Sequence, residues 1–315
     1  MVTIKDIAEH VGVATSTVSY ALNNDPRIPD ETKHKIFVAA RELGYTGKSG
    51  KKSGQGYLKQ LVLCINSISG EIYTELMTSM RNVLNVSNCE LLVYVGTNIS
   101  RIKWMDGLFV LNSQVSNQEI TEVANRHIPI VLMDRDIVLN CAVNVTLDNK
   151  MGGYLTTKAV IDKGARTFAF VNGPSTSYES ADRYEGFNKA LSEAMLQTKN
   201  TIVLQSDFTY EGGLNVSRYL SGLSKMPDAI VCANDEMAFG IMEGLRRENK
   251  LNNVFVTGFD GIKQPDSQPD RASYITAKAE RSHWGSVSAY TMLLLLQHAK
   301  TEPAIKIPVK LVENY

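Results

Sequence analysis

From residue 61 onward, short apolar runs alternate with helical patterns, and this alternation leaves few architectures open. The runs are LVLCIN (61–66), ELLVYV (90–95), GLFVL (107–111), PIVLM (129–133), VNVTL (143–147), TFAFV (167–171), TIVLQ (201–205), AIVCA (229–233), NVFVTGF (253–259) and SYITAK (273–278). Strands that are apolar on consecutive residues are covered on both faces, and the helices between them supply the cover. Ten such strands in about 250 residues predict two doubly wound lobes of parallel sheet, an α/β fold. Ligands of such folds bind at the carboxyl ends of the strands, here in the crevice between the lobes.

The first 45 residues keep a different rhythm. Ile4, Ile7, Ala8 and Val11 recur at helical spacing, as do Val18, Ala21 and Leu22, and then Ile36, Ala39, Ala40 and Leu43. Gly12 separates the first helix from the second, and Asn23-Asn24-Asp25-Pro26 separates the second from the third. Thr3 can cap the first helix, and Asp30 and Glu31 put negative charge at the start of the third. Ala8 is small where two helices meet. Gly12, four residues on, can supply the positive φ of a tight turn, and Val18 is a β-branched core residue. This is the skeleton of a helix-turn-helix. Its second helix presents Thr15, Ser16, Thr17, Ser19 and Tyr20, groups suited to base edges and phosphates in a major groove. The alternative is a plain three-helix bundle with a polar outer face.

Charge is divided unevenly although the total is zero, with 33 Lys and Arg against 33 Asp and Glu. Residues 1–45 carry five basic and six acidic groups, residues 46–60 carry four lysines and no acid, and residues 61–315 carry 24 basic and 27 acidic groups. A wholly basic nucleic-acid coat protein is excluded, but one small DNA-reading module is not. The basic stretch also holds Gly47, Gly50, Gly54 and Gly56, so residues 46–60 are expected to form a hinge or linker. Lys51 and Lys52 could touch phosphates from there. The expected domains are thus 1–45, 46–60 and 61–315.

Cys64, Cys89, Cys141 and Cys232 lie far apart, with no CxxC, and read as reduced core residues. MVTIKDIAEH is charged where an export signal would be apolar, so a cytoplasmic protein is expected. No apolar stretch is long enough to span a bilayer. No nucleophile elbow, P-loop, GxGxxG fingerprint or HExxH occurs, and the five histidines lack metal spacing. Neither an enzyme, nor a cofactor, nor a metal site is expected.

The residues at the ends of the runs suit a polyol. Asp134 and Arg135 follow PIVLM, Phe208 follows TIVLQ, Asn234 and Asp235 follow AIVCA, Asp260 follows VTGF, and Arg183 sits at a helix start in SADRYEGF. Carboxylates and a guanidinium can bridge neighbouring hydroxyls, and an aromatic face can stack on a sugar ring. The competing reading makes Asp235 an N-cap, Asp134 and Asp260 loop caps, and Phe208 a packing residue.

TIKDIAEHVGVATSTVSYALN followed by ETKHKIFVAARELGY resembles the DNA-binding headpiece of the lactose-repressor (LacI/GalR) family of bacterial regulators. VTLDNKMGGYLTTKAVIDKGAR, SADRYEGF, PDAIVCANDEMAFG and VTGFDG resemble that family's effector domain, which is similar to periplasmic sugar-binding proteins. The resemblance implies a transcriptional regulator, a repressor in the first instance. It would act as a homodimer on double-stranded operator DNA, under control of a small effector such as a sugar. It implies that Thr15, Ser16 and Tyr20 read bases and that Thr3, Thr17, Ser19 and Asn23 hold phosphates. It also implies that Arg183, Asn234, Asp260, Phe208 and Tyr73 meet the effector. The headpiece argues against a solute-binding protein serving a transporter.

Three departures stand out. Gly47, Lys51-Lys52 and Gly54 occupy the hinge positions where the family carries Pro, Ala-Arg and Leu. Only residues 96–106 join the second strand to the third, where the family fits a helix. Arg281 and Trp284 follow SYITAK in a stretch expected to face the cleft.

Overall fold

The computed structural model describes residues 2–22, 25, 27–43, 45, 58–68, 71–196, 201–263 and 274–314. The hinge positions 47–56, with Lys51 and Lys52, and Asn23 lie outside the described residues.

Three helices form the headpiece: α1 (Ile4–Val11), α2 (Thr15–Leu22) and α3 (Asp30–Glu42). The first two have eight residues each, too short to persist alone in water. They are held by one apolar cluster of Ile7, Ala8, Val18, Ala21, Ile36, Ala39 and Ala40. The turn after α1 depends on Gly12, at φ +74°, where the Gly12 and Val13 N–H groups both reach the Ala8 carbonyl (2.9 and 3.0 Å). A Cβ there would have open space, so it is the backbone angle that calls for glycine.

The remainder forms two sheets. The first contains β1 (Lys59–Ile65), β2 (Cys89–Val95), β3 (Gly107–Leu111), β4 (Ile130–Leu132), β5 (Ala142–Leu147) and β11 (Ala304–Ile307), in the order β11-β5-β4-β3-β1-β2. The second contains β6 (Phe168–Asn172), β7 (Ile202–Gln205), β8 (Ala229–Cys232), β9 (Phe255–Phe259), β10 (Tyr274–Ala279) and β12 (Val309–Asn314), in the order β12-β10-β9-β8-β6-β7. Both sheets thus share one winding, reversing direction beside their first strand. Consecutive β1 residues serve opposite cores, Leu61, Leu63 and Ile65 one face and Val62 and Cys64 the other. This is why the run reads as apolar throughout.

Helices α4 (Glu71–Leu84), α5 (Asn117–Ala124) and α10 (Arg281–Leu296) flank the first sheet. Helices α6 (Asn149–Asp162), α7 (Tyr178–Glu193), α8 (Tyr210–Ser221) and α9 (Asp235–Arg247) flank the second. The chain crosses between lobes three times, from β5 to α6, from β10 to α10, and from β11 to β12.

All ten expected strands form, and two more follow. β11 and β12 lie within AIKIPVKLVEN, where Pro308 and interleaved lysines hide the strand signal. Each is the last strand of its sheet, and β12 runs antiparallel to β10, a departure from purely parallel sheets. Between β2 and β3 a single 3-10 turn, Ile99–Arg101, replaces a crossover helix. The helix α5 region closes over it. Arg126 donates to the carbonyls of Ile102 (2.9 Å) and Lys103 (3.1 Å), and Glu119 accepts the Ser100 N–H (2.7 Å).

Candidate functional site

On the headpiece, Val18 and Ala21 turn α2 inward, and Thr15, Ser16 and Tyr20 are left exposed, with Thr17 and Ser19 half-buried. Tyr20 is 44% exposed and carries a partner that the sequence reading passed over. The Arg27 guanidinium lies 4.6 Å from its ring centroid and forks onto Asp25, whose carboxyl is held down to about 2 by those hydrogen bonds. A cation thus stands beside the proposed base-reading aromatic; its only sequence signal is an Arg just past the second helix. Thr3 forms the capping box of α1, its hydroxyl 2.8 Å from Asp6, so its first role is local.

In the two-lobed body the winding reverses between β1 and β3 and between β6 and β8. The crevice opens beyond those strand ends. Arg183, one turn into α7, is buried there. Its Nε donates to Asn149 (2.9 Å), Nη1 donates to the Ala233 carbonyl (2.6 Å), and the guanidinium carbon lies 3.6 Å from the Phe259 ring centroid. Asn149 reaches it because Gly153 and Gly186 let α6 and α7 meet backbone to backbone; a Cβ on either would collide with the opposite main chain.

Asp260 directly follows β9 at φ +134°, and Phe208 lies before α8 at φ +69°. Side-chain-bearing residues rarely hold such angles, and where they do the surrounding structure enforces it, often at binding sites. The Asp260 carbonyl accepts from Arg281 (2.6 Å), whose guanidinium is also 3.7 Å from the carboxylate. Burial raises the Asp260 pKa against the pull of Arg183 and Arg281. The Phe208 ring covers Gly173, where a Cβ would strike it. Tyr73, in the first turn of α4, donates to Asn66 (2.6 Å). Its hydroxyl pKa is pushed up to about 12 by burial, then by Glu179, Asp260 and Asp134, so these four groups share one field.

Two further candidates are engaged by the protein itself. Both Asp134 oxygens take hydrogen bonds from Arg135 at 2.9 Å, and each side chain is 1% exposed. Arg135 also donates to the Asn112 and Val115 carbonyls (2.7 Å each) and to Asn117 (3.1 Å), tying β4 to the end of β3. Asn234 caps α9 by accepting the Met237 N–H (3.1 Å) and donates to the Phe208 carbonyl (2.9 Å), which fixes the Phe208 loop. The cap is Asn234 and not Asp235. Asp235 is fully buried and accepts from Tyr274, from Thr276 (2.7 Å) and from the Ile262 N–H (2.6 Å). Burial, and then Asp260, push its carboxyl up to about 7.

Trp284 does not face the cleft. Its indole N–H reaches the Val145 carbonyl (2.7 Å) within the first lobe's core. Arg281 acts on the Asp260 loop.

Sequence reading also missed the first turn of α7. The Tyr178 hydroxyl accepts from Asn117 of the first lobe (3.0 Å), and its ring centroid lies 5.2 Å from the Arg135 guanidinium, so the two lobes touch here. Glu179 follows. The signal was a carboxylate one turn before Arg183 on the same helix.

Residues 3–47 match the family described as bacterial regulatory proteins, lacI family, and residues 107–265 match the periplasmic binding protein domain. The HTH-type transcriptional repressor PurR of Photorhabdus laumondii subsp. laumondii is 27% identical over all of this chain and 96% of its own length. That of Glaesserella parasuis serovar 5 is 26% identical over the same shares. Among solved structures, the transcriptional regulator CelR–cellobiose complex superposes with a TM-score of 0.72 at 20% identity, covering 100% of this chain and 99% of that one. The Lac repressor dimer bound to operator and the anti-inducer ONPF gives 0.69 at 21%, covering 99% and 97%. A LacI family regulator from Enterococcus faecium with bound ribose gives 0.72 at 22%, covering 82% and 98%. The chain belongs to the periplasmic-binding-protein domain family through its two-lobed body and, through its headpiece, to the lacI family of bacterial regulatory proteins.

Proposed function

We propose that the chain is a sequence-specific DNA-binding transcriptional repressor, not an enzyme, whose operator affinity is set by a small polyol, a sugar or sugar derivative, bound in the cleft. The observation that carries this is the pairing, in one chain, of an exposed hydroxyl-and-tyrosine helix face with a buried crevice. That crevice joins Arg183, Asp260 and Tyr73, with Phe208 held by Asn234 alongside. Thr15, Ser16 and Tyr20 read bases; Thr17, Ser19, Asn23, Lys51 and Lys52 hold phosphates. Asp134 supports the site through Arg135.

One short recognition helix makes few base contacts, so the protein works as a homodimer on a near-palindromic operator with half-sites about 34 Å apart. The free edge strand β2, which exposes Val93 and Val95, is the face assigned to the second copy. Among the described residues no helix is long and apolar enough to cross a membrane. A regulator that works on DNA in a bacterium acts in the cytoplasm.

The test has two arms. Selection from random duplexes should enrich a two-fold symmetric site, and a thermal-shift screen over sugars, sugar phosphates, amino sugars and nucleobases should raise the melting point with at least one class. Enrichment of no motif, or of a single asymmetric half-site bound by monomer, contradicts the DNA reading. Silence across every class contradicts the effector reading.

A further inference from the structure

Among the described residues, the carboxyl groups of Asp134, Asp235, Asp260 and Glu179 and the guanidinium groups of Arg135, Arg183 and Arg281 lie around the cleft, and of these groups Glu179 alone has no hydrogen-bond or ion-pair partner within the protein. Asp134 is forked by Arg135. Asp260 lies beside Arg281, and Asp235 takes three donors. The guanidinium groups are turned inward. Arg135 is bonded to Asp134, main-chain carbonyls and Asn117, Arg281 to Asp260, and Arg183 to Asn149 and the Ala233 carbonyl with its face on Phe259.

Glu179 is the exception. It sits half-buried in the first turn of α7, between Tyr178, which touches the first lobe, and Arg183. Among the described residues its carboxylate has no hydrogen bond and no ion pair. Of the charges around it, Asp134 and Arg135 pair with each other, Asp260 lies beside Arg281, and Arg183, whose hydrogen bonds go to the neutral Asn149 and Ala233 groups, acts on Glu179 through space and leaves its carboxylate oxygens without a donor. A half-buried carboxylate without a donor is an incomplete site, and the group that completes it best is a cation with several N–H donors.

We propose that Glu179 is the specificity-determining residue of the cleft and that it selects an effector carrying a protonated amine, such as an amino sugar, over the matching neutral or phosphorylated sugar. This rests on the reading of the cleft as the effector site. An ammonium pairs with Glu179 while neighbouring hydroxyls face Tyr73, Arg183 and Asp260. A sugar phosphate would meet the carboxylate instead of the inward-turned guanidinium groups.

Two measurements on the full chain test this. Without any ligand, Glu179→Gln should raise the melting temperature at pH 8, where the carboxylate is ionised, and leave it nearly unchanged at pH 4, where it is mostly protonated in both states. A fall at pH 8 would mean that Glu179 already has a partner, and would overturn the proposal. With ligand, titration calorimetry at pH 7.5 should show D-glucosamine or D-galactosamine binding at least tenfold more tightly than D-glucose, D-galactose or glucose 6-phosphate. Glu179→Gln should erase that preference. A preference for the neutral or phosphorylated sugar, or an amine preference that survives Glu179→Gln, overturns the proposal and leaves the effector reading standing. Silence from both amines while another class stabilises the protein does the same. Silence from every class removes the effector reading as well.

Discussion

The recognition helix and the cleft use similar polar groups and hold them in opposite ways. On α2, Thr15 and Ser16 stand in solvent above buried Val18 and Ala21, and Tyr20 is exposed beside the Arg27 guanidinium. In the cleft, Asp134, Arg135, Arg183 and Asp235 are buried in the protein alone, and each is matched by an ion pair, a carbonyl or a hydroxyl. Buried charges are tolerated only when so matched. The proposed DNA face can therefore be rewritten residue by residue on an intact fold, whereas many changes around the cleft become changes in stability first.

The sharpest way to break this comparison is Asp134→Asn. It leaves Arg135 buried without a counterion, and should cost about 3–5 kcal/mol in denaturant unfolding of the two-lobed body. Ser16→Ala on the open helix face should stay within about 0.5 kcal/mol. Equal costs would mean that the two regions are not built differently.

Next comes Tyr20→Ala. Fold stability should hold, while discrimination at the contacted base pair falls by about 1–3 kcal/mol, read as altered base preference in a binding selection. Unchanged preference with weaker binding on all sequences would place Tyr20, with its neighbour Arg27, on the backbone instead. Lys51→Ala and Lys52→Ala should act in that uniform way, each lowering the slope of log affinity against log salt by about 0.9. A change of base preference from either lysine would contradict the division of labour.

The smallest expected effect is a difference in pH response. On the headpiece, Asp25 is held down to about 2 by Arg27, and Asp6 is lowered by Thr3. The stability these two contribute is present above about pH 4 and lost as pH falls below it, for Asp25 through about 2, and it is slight because both are on the surface. In the cleft, Glu179 and Asp235 are raised to about 7, chiefly by burial. Their contribution is complete below about pH 4 and lost as pH rises through 7. Amide exchange followed from pH 3 to pH 8 should show the headpiece loosening at the acid end and the α7–α9 region at the neutral end. The same direction in both would contradict the assignment.

The two regions also differ in how far they can be read in a sequence. The headpiece is local. Ala8, Gly12 and Val18 fix the turn, and the face of α2 follows from its period. The strands of the lobes were legible for a similar reason, their apolar runs. β11 and β12 were not, because an edge strand needs only an alternating pattern and Pro308 divides the two. The cleft draws on β4, β8, β9, α4, α7 and the Phe208 loop, and residue type alone does not separate a ligand contact from its support. Asn234 and Asp134 look like ligand groups in sequence and turn out to be fastened into the protein. Glu179 looks like a surface helix residue and, among the described residues, has no hydrogen-bond or ion-pair partner.

The central claim is that occupancy of the cleft changes affinity for DNA. Its most direct test is the dissociation constant of the full chain for its selected operator at fixed salt. It should be measured with and without a saturating concentration of the compound that most raises the melting temperature. The account predicts a change of roughly 5- to 150-fold, abolished together with ligand binding by Arg183→Ala. An operator affinity that is the same with the cleft filled and empty would contradict it.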